Sequence, residues 1–283
     1  MGQKPVFKIG VLGWMAPFYK GFSDLEGEFD TFFLKKVFLG SWNRVFERLC
    51  DRLIDGAFIP VPAAIDLVRS GVDIRLFFTL SGTEAFFVKS RGAGVRRMSQ
   101  FKGKTILVPH ELSIYTLLIH RFMASAGLCL GQNRSSEVFF EAMSVPLMGE
   151  ALAYDHEGHI GGFIAPEPFC TGAVKAGDGS LVCSAEKLWP GYTSGVFVLD
   201  GALADSCFDS AYGLVTLLMR ALGSPEGAES GMEGDEKTDF LIDTRAIRQV
   251  EKYMQDEFGQ VPGGKGILGA VQGEFAMGSG AGN

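Results

Sequence analysis

Short apolar runs alternate with amphipathic stretches along most of this chain, the pattern of an α/β protein. Phe7 to Leu12 is a near-continuous apolar run and predicts a buried strand. A loop rich in aromatics and glycine follows, Gly13 to Gly21, and then a second strand-like run over Asp30–Phe38. Trp42, Val45, Phe46, Leu49 and Leu53 fall at i, i+3, i+4, i+7 and i+11, one helical face opened by Ser41 as its cap and closed by Asp55-Gly56. Ala57–Ile59 reads as a short strand, and Pro60-Val61-Pro62 starts a helix that Gly71 ends. Strands are expected at Ile74–Thr79 and Ala85–Lys89, with a turn at 80–83 between them.

A basic, glycine-containing linker, Ser90 to Arg97, precedes a second series of units. Strands are predicted at Lys104–Val108, Val138–Phe140, Ile160–Ile164 and Leu181–Ser184. Helices are predicted at Ser113–Ala126, Pro146–Tyr154 and Pro166–Ala176. Thr193–Leu199 is a strong strand, Asp209 caps a helix to about Leu222, and Asp243 caps a last one to Phe258. Between them Ser224–Asp239 is acidic with Lys237 its one base, and nine of the 25 residues from Gly259 onward are Gly. Both stretches predict weakly held chain.

Composition narrows the classes. The 283 residues are 47% hydrophobic and 21% charged, enough for a substantial core. The 24 Phe predict aromatic-rich packing. A net charge of −7 without a basic stripe speaks against nucleic acid as a partner. No apolar segment reaches the ~18 residues that cross a bilayer. The first strand begins close to Met1, so a periplasmic or cell-envelope location is expected if an export signal was removed ahead of it, and a cytoplasmic one otherwise. The five cysteines are widely spaced and odd in number, and are expected to be reduced, mostly buried small hydrophobes.

Four stretches carry a resemblance. Phe38-Leu39-Gly40-Ser41-Trp42 opens a helix, and Ile54-Asp55-Gly56-Ala57-Phe58-Ile59-Pro60 ends it and starts the next unit. Phe101 to His110 opens a second block, with Phe101 where Leu is common, and Gly161 to Phe169 lies late in it. In this order and spacing they resemble the solute-binding proteins of nitrate/sulfonate/taurine-type ABC importers, a group with relatives that bind thiamine-pyrimidine precursors. The resemblance implies a type 2 periplasmic-binding fold: two α/β lobes, two crossover strands and a ligand cleft between the lobes. Mapped here, lobe one is 1–88 plus 195–258, lobe two is 89–194, and 259–283 is a tail. The crossovers are then Ala85–Lys89 and Thr193–Val198.

In open α/β sheets ligands sit beyond the carboxyl ends of the strands, where helix N-termini present free N–H groups. On that reasoning the candidate ligand-binding residues are Trp14, Ser41, Trp42, Pro60, Ser81, His110, Ser113 and Glu167. Each has a structural alternative: Ser41 and Ser113 serve equally as caps, Trp42 as core, and Glu167 as a first-turn carboxylate. Lys20 is the one cation in these loops, which favours a neutral, aromatic or cationic organic ligand over a simple oxyanion.

His156-Glu157-Gly158-His159 is one residue short of the zinc-protease spacing, and Gly259–Lys265 lacks the Ser/Thr of a phosphate loop. No metal or cofactor is expected. The resemblance implies a monomer that hands a small-molecule ligand to a membrane permease. A cytoplasmic enzyme on the same fold, of the chorismate dehydratase or thiamine-pyrimidine synthase kind, and a ligand-sensing domain remain open beside it.

Overall fold

The computed structural model describes residues 4–15, 20–81, 84–222 and 244–258. In chain order the strands are β1 Val6–Leu12, β2 Gly27–Glu28, β3 Phe33–Leu39, β4 Gly56–Pro60, β5 Ile74–Ser81, β6 Ala85–Ser90, β7 Thr105–Val108, β8 Leu130–Gly131, β9 Val138–Ala142, β10 Ile160–Pro166, β11 Gly179–Ser184 and β12 Thr193–Asp200. The helices are α1 Lys20–Ser23, α2 Trp42–Cys50, α3 Val61–Arg69, α4 Ile114–Ser125, α5 Val145–Tyr154, α6 Phe169–Ala176, α7 Ala185–Leu188, α8 Gly201–Ser206, α9 Phe208–Ala221 and α10 Thr244–Phe258. The chain divides into two compact units. The second comprises Pro60–Pro62 and Leu80–Gly195, and the first takes the remaining described residues.

The first unit is built on a six-stranded sheet in the order β2-β3-β1-β4-β12-β5. β1 pairs parallel with β3 from Val6↔Phe33 to Leu12↔Leu39, and with β4 at Ile9↔Gly56. Part of the phenylalanine excess forms a cluster at this sheet. Phe197 of β12 lies 4.9 Å from Phe58 of β4 and 5.5 Å from Phe78 of β5, ring centre to ring centre, and Phe22 of α1 meets Phe58 edge-on at 5.6 Å. Such offset and edge contacts suit the ring quadrupoles.

Ser41 caps α2, its Oγ accepting from Arg44 N at 3.3 Å. The helix stops at Cys50, earlier than the apolar spacing suggests. Arg52 turns into the left-handed region at φ 54, Leu53 N donates to Arg48 O and Arg52 N to Leu49 O. This double closure satisfies carbonyls of the last turn. It leaves Leu53, expected on the buried face, half exposed and puts Ile54 in the core instead.

The second unit holds a six-stranded sheet in the order β11-β6-β10-β7-β9-β8. β7 pairs parallel with β10 and β9, whereas β6 runs antiparallel to both β10 and β11. β6 therefore belongs wholly to this sheet, and the first boundary falls after Thr79, not after residue 88. β10 also runs on through Pro166, so α6 starts at Phe169, later than expected. Gly162 permits the tight β6–β10 contact, because a Cβ there would stand 2.1 Å from Val88 O. The cysteines depart from expectation too: Cys170 is buried, but Cys50 and Cys129 are exposed on element ends. The acidic stretch 224–239, the cap Asp243 and the tail 259–283 lie outside the described residues.

Candidate functional site

The candidate residues of the second unit gather at one edge of its sheet. Because β7 and β10 are adjacent and parallel, His110, Ser113 and Glu167 all leave from the same, carboxyl end. Each is already engaged locally. His110 Nδ1 accepts from Leu112 N at 3.0 Å, and its carbonyl accepts from Thr116 Oγ1 at 2.7 Å. Partial burial lowers the His110 pKa, against a smaller opposing effect of Glu111, so the ring is neutral at pH 7. Ser113 is buried and caps α4, its Oγ accepting from Thr116 N at 3.2 Å and lying 3.0 Å from Thr116 Oγ1.

Glu167 folds back over the start of α6. Thr171 N donates to Oε2 at 2.9 Å and Thr171 Oγ1 donates to Oε1 at 2.6 Å. The carboxylate thus caps the helix from just outside it, where the N-cap Pro168 has no donor or acceptor side chain to offer. The Glu167–Pro168 peptide is cis.

The same edge carries residues that linear reading missed. β6 enters the sheet here, so Glu84 lies opposite Glu167, whose N–H donates to Glu84 O at 2.9 Å. On the other side β11 ends at Ser184, paired with Phe86, which brings Glu186 of α7 alongside Glu84. Alongside this corner lies a cavity of about 640 Å³, with Glu84, Phe86, Ser184, Glu186, Lys187 and Tyr192 among its walls. Glu84 and Glu186 are 102 positions apart, and a register shift between Leu181 and Cys183 hides their alignment from a count along the strands.

In the first unit Trp14 sits half-buried in the turn after β1, and Ser41 is exposed at the start of α2. Trp42 is buried, stacked on Phe46 at 5.9 Å, and its Nε1 has no hydrogen-bond partner. The ring is thus buried with its one donor left unsatisfied. Pro60 is the buried last residue of β4. Ser81 ends β5, and its side chain is outside the described residues, as is that of Lys20. The His156–His159 segment is a turn in which His159 pairs with Glu157 at 2.6 Å. Among the described residues no cluster of His, Cys, Asp and Glu is arranged to hold a metal, and no helix is long and apolar enough to cross a membrane.

Solved structures share this fold. The alkanesulfonate-binding protein SsuA of Xanthomonas axonopodis pv. citri, bound to MOPS, matches with TM-score 0.63 at 17% identity, over 89% of this chain and 81% of its own. The nitrate-binding protein NrtA of Synechocystis PCC 6803 gives 0.60 at 14% identity, over 77% and 61%. The ligand-binding component of an ABC-type import system from Staphylococcus aureus, with zinc bound, gives 0.60 at 22%, over 77% and 74%. A comparison with curated proteins finds no match. The fold is that of the periplasmic binding proteins, two α/β units each on a mixed six-stranded sheet. Within that class the chain belongs to the NMT1-like family, which matches residues 33–226.

Proposed function

We propose that this chain is the substrate-binding component of an ABC-type importer, capturing one small molecule and passing it to a membrane permease from the cell envelope. The observation that carries the reading is that His110, Ser113 and Glu167 leave the carboxyl edge of one sheet together, in a fold shared with binding components of importers. That edge is where open α/β sheets take ligands. Trp14, Ser41, Trp42, Pro60 and Ser81 are the corresponding candidates at strand ends of the other sheet and at the boundary.

Binding without turnover fits the way these groups are used. Ser113 Oγ and both Glu167 oxygens are bound into helix caps, an arrangement that holds loops rigid and activates no nucleophile. Fixed loops of this kind favour affinity by reducing what must be ordered on binding. Native mass spectrometry of the intact chain after gentle purification tests the reading. One small molecule per chain, released unchanged on denaturation, is the expected result. Catalytic conversion of that molecule on incubation with fresh protein would replace the binder by an enzyme.

A further inference from the structure

Three of the four sheet edges among the described residues are closed to further pairing. β2 and β8 are two residues long. β5, the far edge of the first sheet, is buried over 76–78 and carries Arg75, tied to Asp73 at 2.8 Å and Asp205 at 3.0 Å. Short, covered or charged edges are the usual guards against unwanted strand pairing. β11 has none of these three. Among the described residues it is the last strand of the second sheet, paired on one side with β6. Its six residues, Gly179-Ser180-Leu181-Val182-Cys183-Ser184, include no charge and no proline.

Val182 is the extra residue of a bulge, since Leu181 pairs with Val88 and Cys183 with Phe87. The bulge leaves two consecutive apolar side chains in solvent, Leu181 at 47% and Val182 at 38% exposure. A cavity of about 640 Å³ borders Leu181, Val182, Cys183 and Ser184, so the chain leaves space against this strand that it does not fill itself.

The two ends of β11 are charged in a self-complementary way. Asp178 precedes the strand, and Arg91, whose N–H donates to Asp178 O at 2.9 Å, reaches with its guanidinium toward Gly177. Glu186 and Lys187 follow the strand on α7. Each end thus carries one anion and one cation, and none of the four is in an ion pair among the described residues. When two identical strands pair antiparallel about a two-fold axis, the start of each lies beside the end of the other. Asp178 then faces Lys187 of the second copy, and Arg91 faces its Glu186.

We propose that β11 is an interface for a second copy of this chain, in place of the monomer that the family resemblance implies. Two β11 strands pair antiparallel about a two-fold axis, which covers Leu181 and Val182 and matches the charges at the strand ends. A two-fold contact uses the same patch on both copies and closes on itself, so it yields a dimer and no filament. The bulge restricts the new ladder to short stretches on either side of it, so the association is weak and concentration-dependent. The inference goes beyond the binding role proposed above and does not depend on it.

Sedimentation equilibrium of the full chain at roughly 1–500 μM covers the range of weak, small interfaces. The unaltered protein should pass from monomer to dimer, with no larger species. Val182→Lys sets a charge at the centre of the pairing and should raise the dissociation constant by about tenfold or more. Asp178→Lys and Lys187→Asp should each weaken the dimer by bringing like charges together, and the double variant should restore it. Val182→Lys should melt like its parent, because the side chain is already exposed. If it does not, the charge swap decides alone, since it leaves the strand untouched. A monomer at every concentration would overturn the proposal. So would a dimer as tight in Val182→Lys as in the parent, which would put the contact elsewhere. A double variant no tighter than the two single ones would overturn the antiparallel pairing.

Discussion

Replacing Glu167 by Ala separates the structural work of this residue from its candidacy as a ligand contact. The carboxylate accepts two hydrogen bonds from Thr171, at 2.9 Å to the backbone N–H and 2.6 Å to the hydroxyl. Loss of a helix cap costs about 0.5–2 kcal/mol, and loss of a negative charge beside a helix N-terminus about 0.3–1 kcal/mol. Glu167 is only half-buried, so water recovers part of both, and a net cost of about 1–2 kcal/mol is expected. In a chain of this size that corresponds to a fall of roughly 2–8 °C in melting temperature. Glu167→Gln keeps one acceptor oxygen and no charge, and should lose about half as much. Thr171→Val removes the hydroxyl but leaves the N–H, and a double-mutant cycle with Glu167→Ala should return a coupling of about 0.5–1 kcal/mol. Urea titrations of the four proteins measure this. An Ala variant as stable as its parent, or strict additivity in the cycle, would refute the cap and return Glu167 to a role in ligand contact alone.

Other expected outcomes follow from particular environments. Phe197→Ala empties the centre of the first unit's aromatic cluster, where the ring is fully buried, and should cost about 3–5 kcal/mol in urea titration; a cost under 1 kcal/mol would contradict the packing. Burial holds the His110 pKa below its ordinary 6.5, so the unfolded chain binds the extra proton first. Stability should therefore be full above about pH 6.5 and fall as pH drops through the folded-state pKa. His110→Gln should flatten that part of the pH profile, and an unaltered profile would count against it. The Cys170 thiol, buried and pushed up to about 12, should react with a thiol reagent only after unfolding, whereas Cys50 and Cys129 react in the native protein; native labelling of Cys170 would contradict its place.

Much of the architecture was legible because local signals agreed. Ser41 with the Trp42–Val45–Leu49 stripe marked α2, and the apolar runs marked β1, β7 and β12, since spacing along one element is a property of sequence alone. The end of α2 was not legible, because an Arg in the left-handed region does the work that Gly does elsewhere. The family stretches pointed to the fold, but not to β6 joining the second sheet, since pairing with β10 and β11 depends on residues 70 to 100 positions away. The cap at Glu167 had a local signal, a carboxylate four residues ahead of Thr171 across a proline that cannot cap. The Glu84–Glu186 corner had none, being made by strand register.

The central claim is capture of a small molecule at the second sheet's carboxyl edge, and hydrogen–deuterium exchange on the full chain tests it most directly. The protein is compared with and without a saturating amount of a small-molecule cell-extract fraction that raises its melting temperature. The account predicts slowed exchange in 109–113, 167–171 and 184–192, the segments that leave this edge, the last of which also walls the cavity beside it. Protection confined to the opposite end of the sheet, around 90–97 and 155–159, would contradict it.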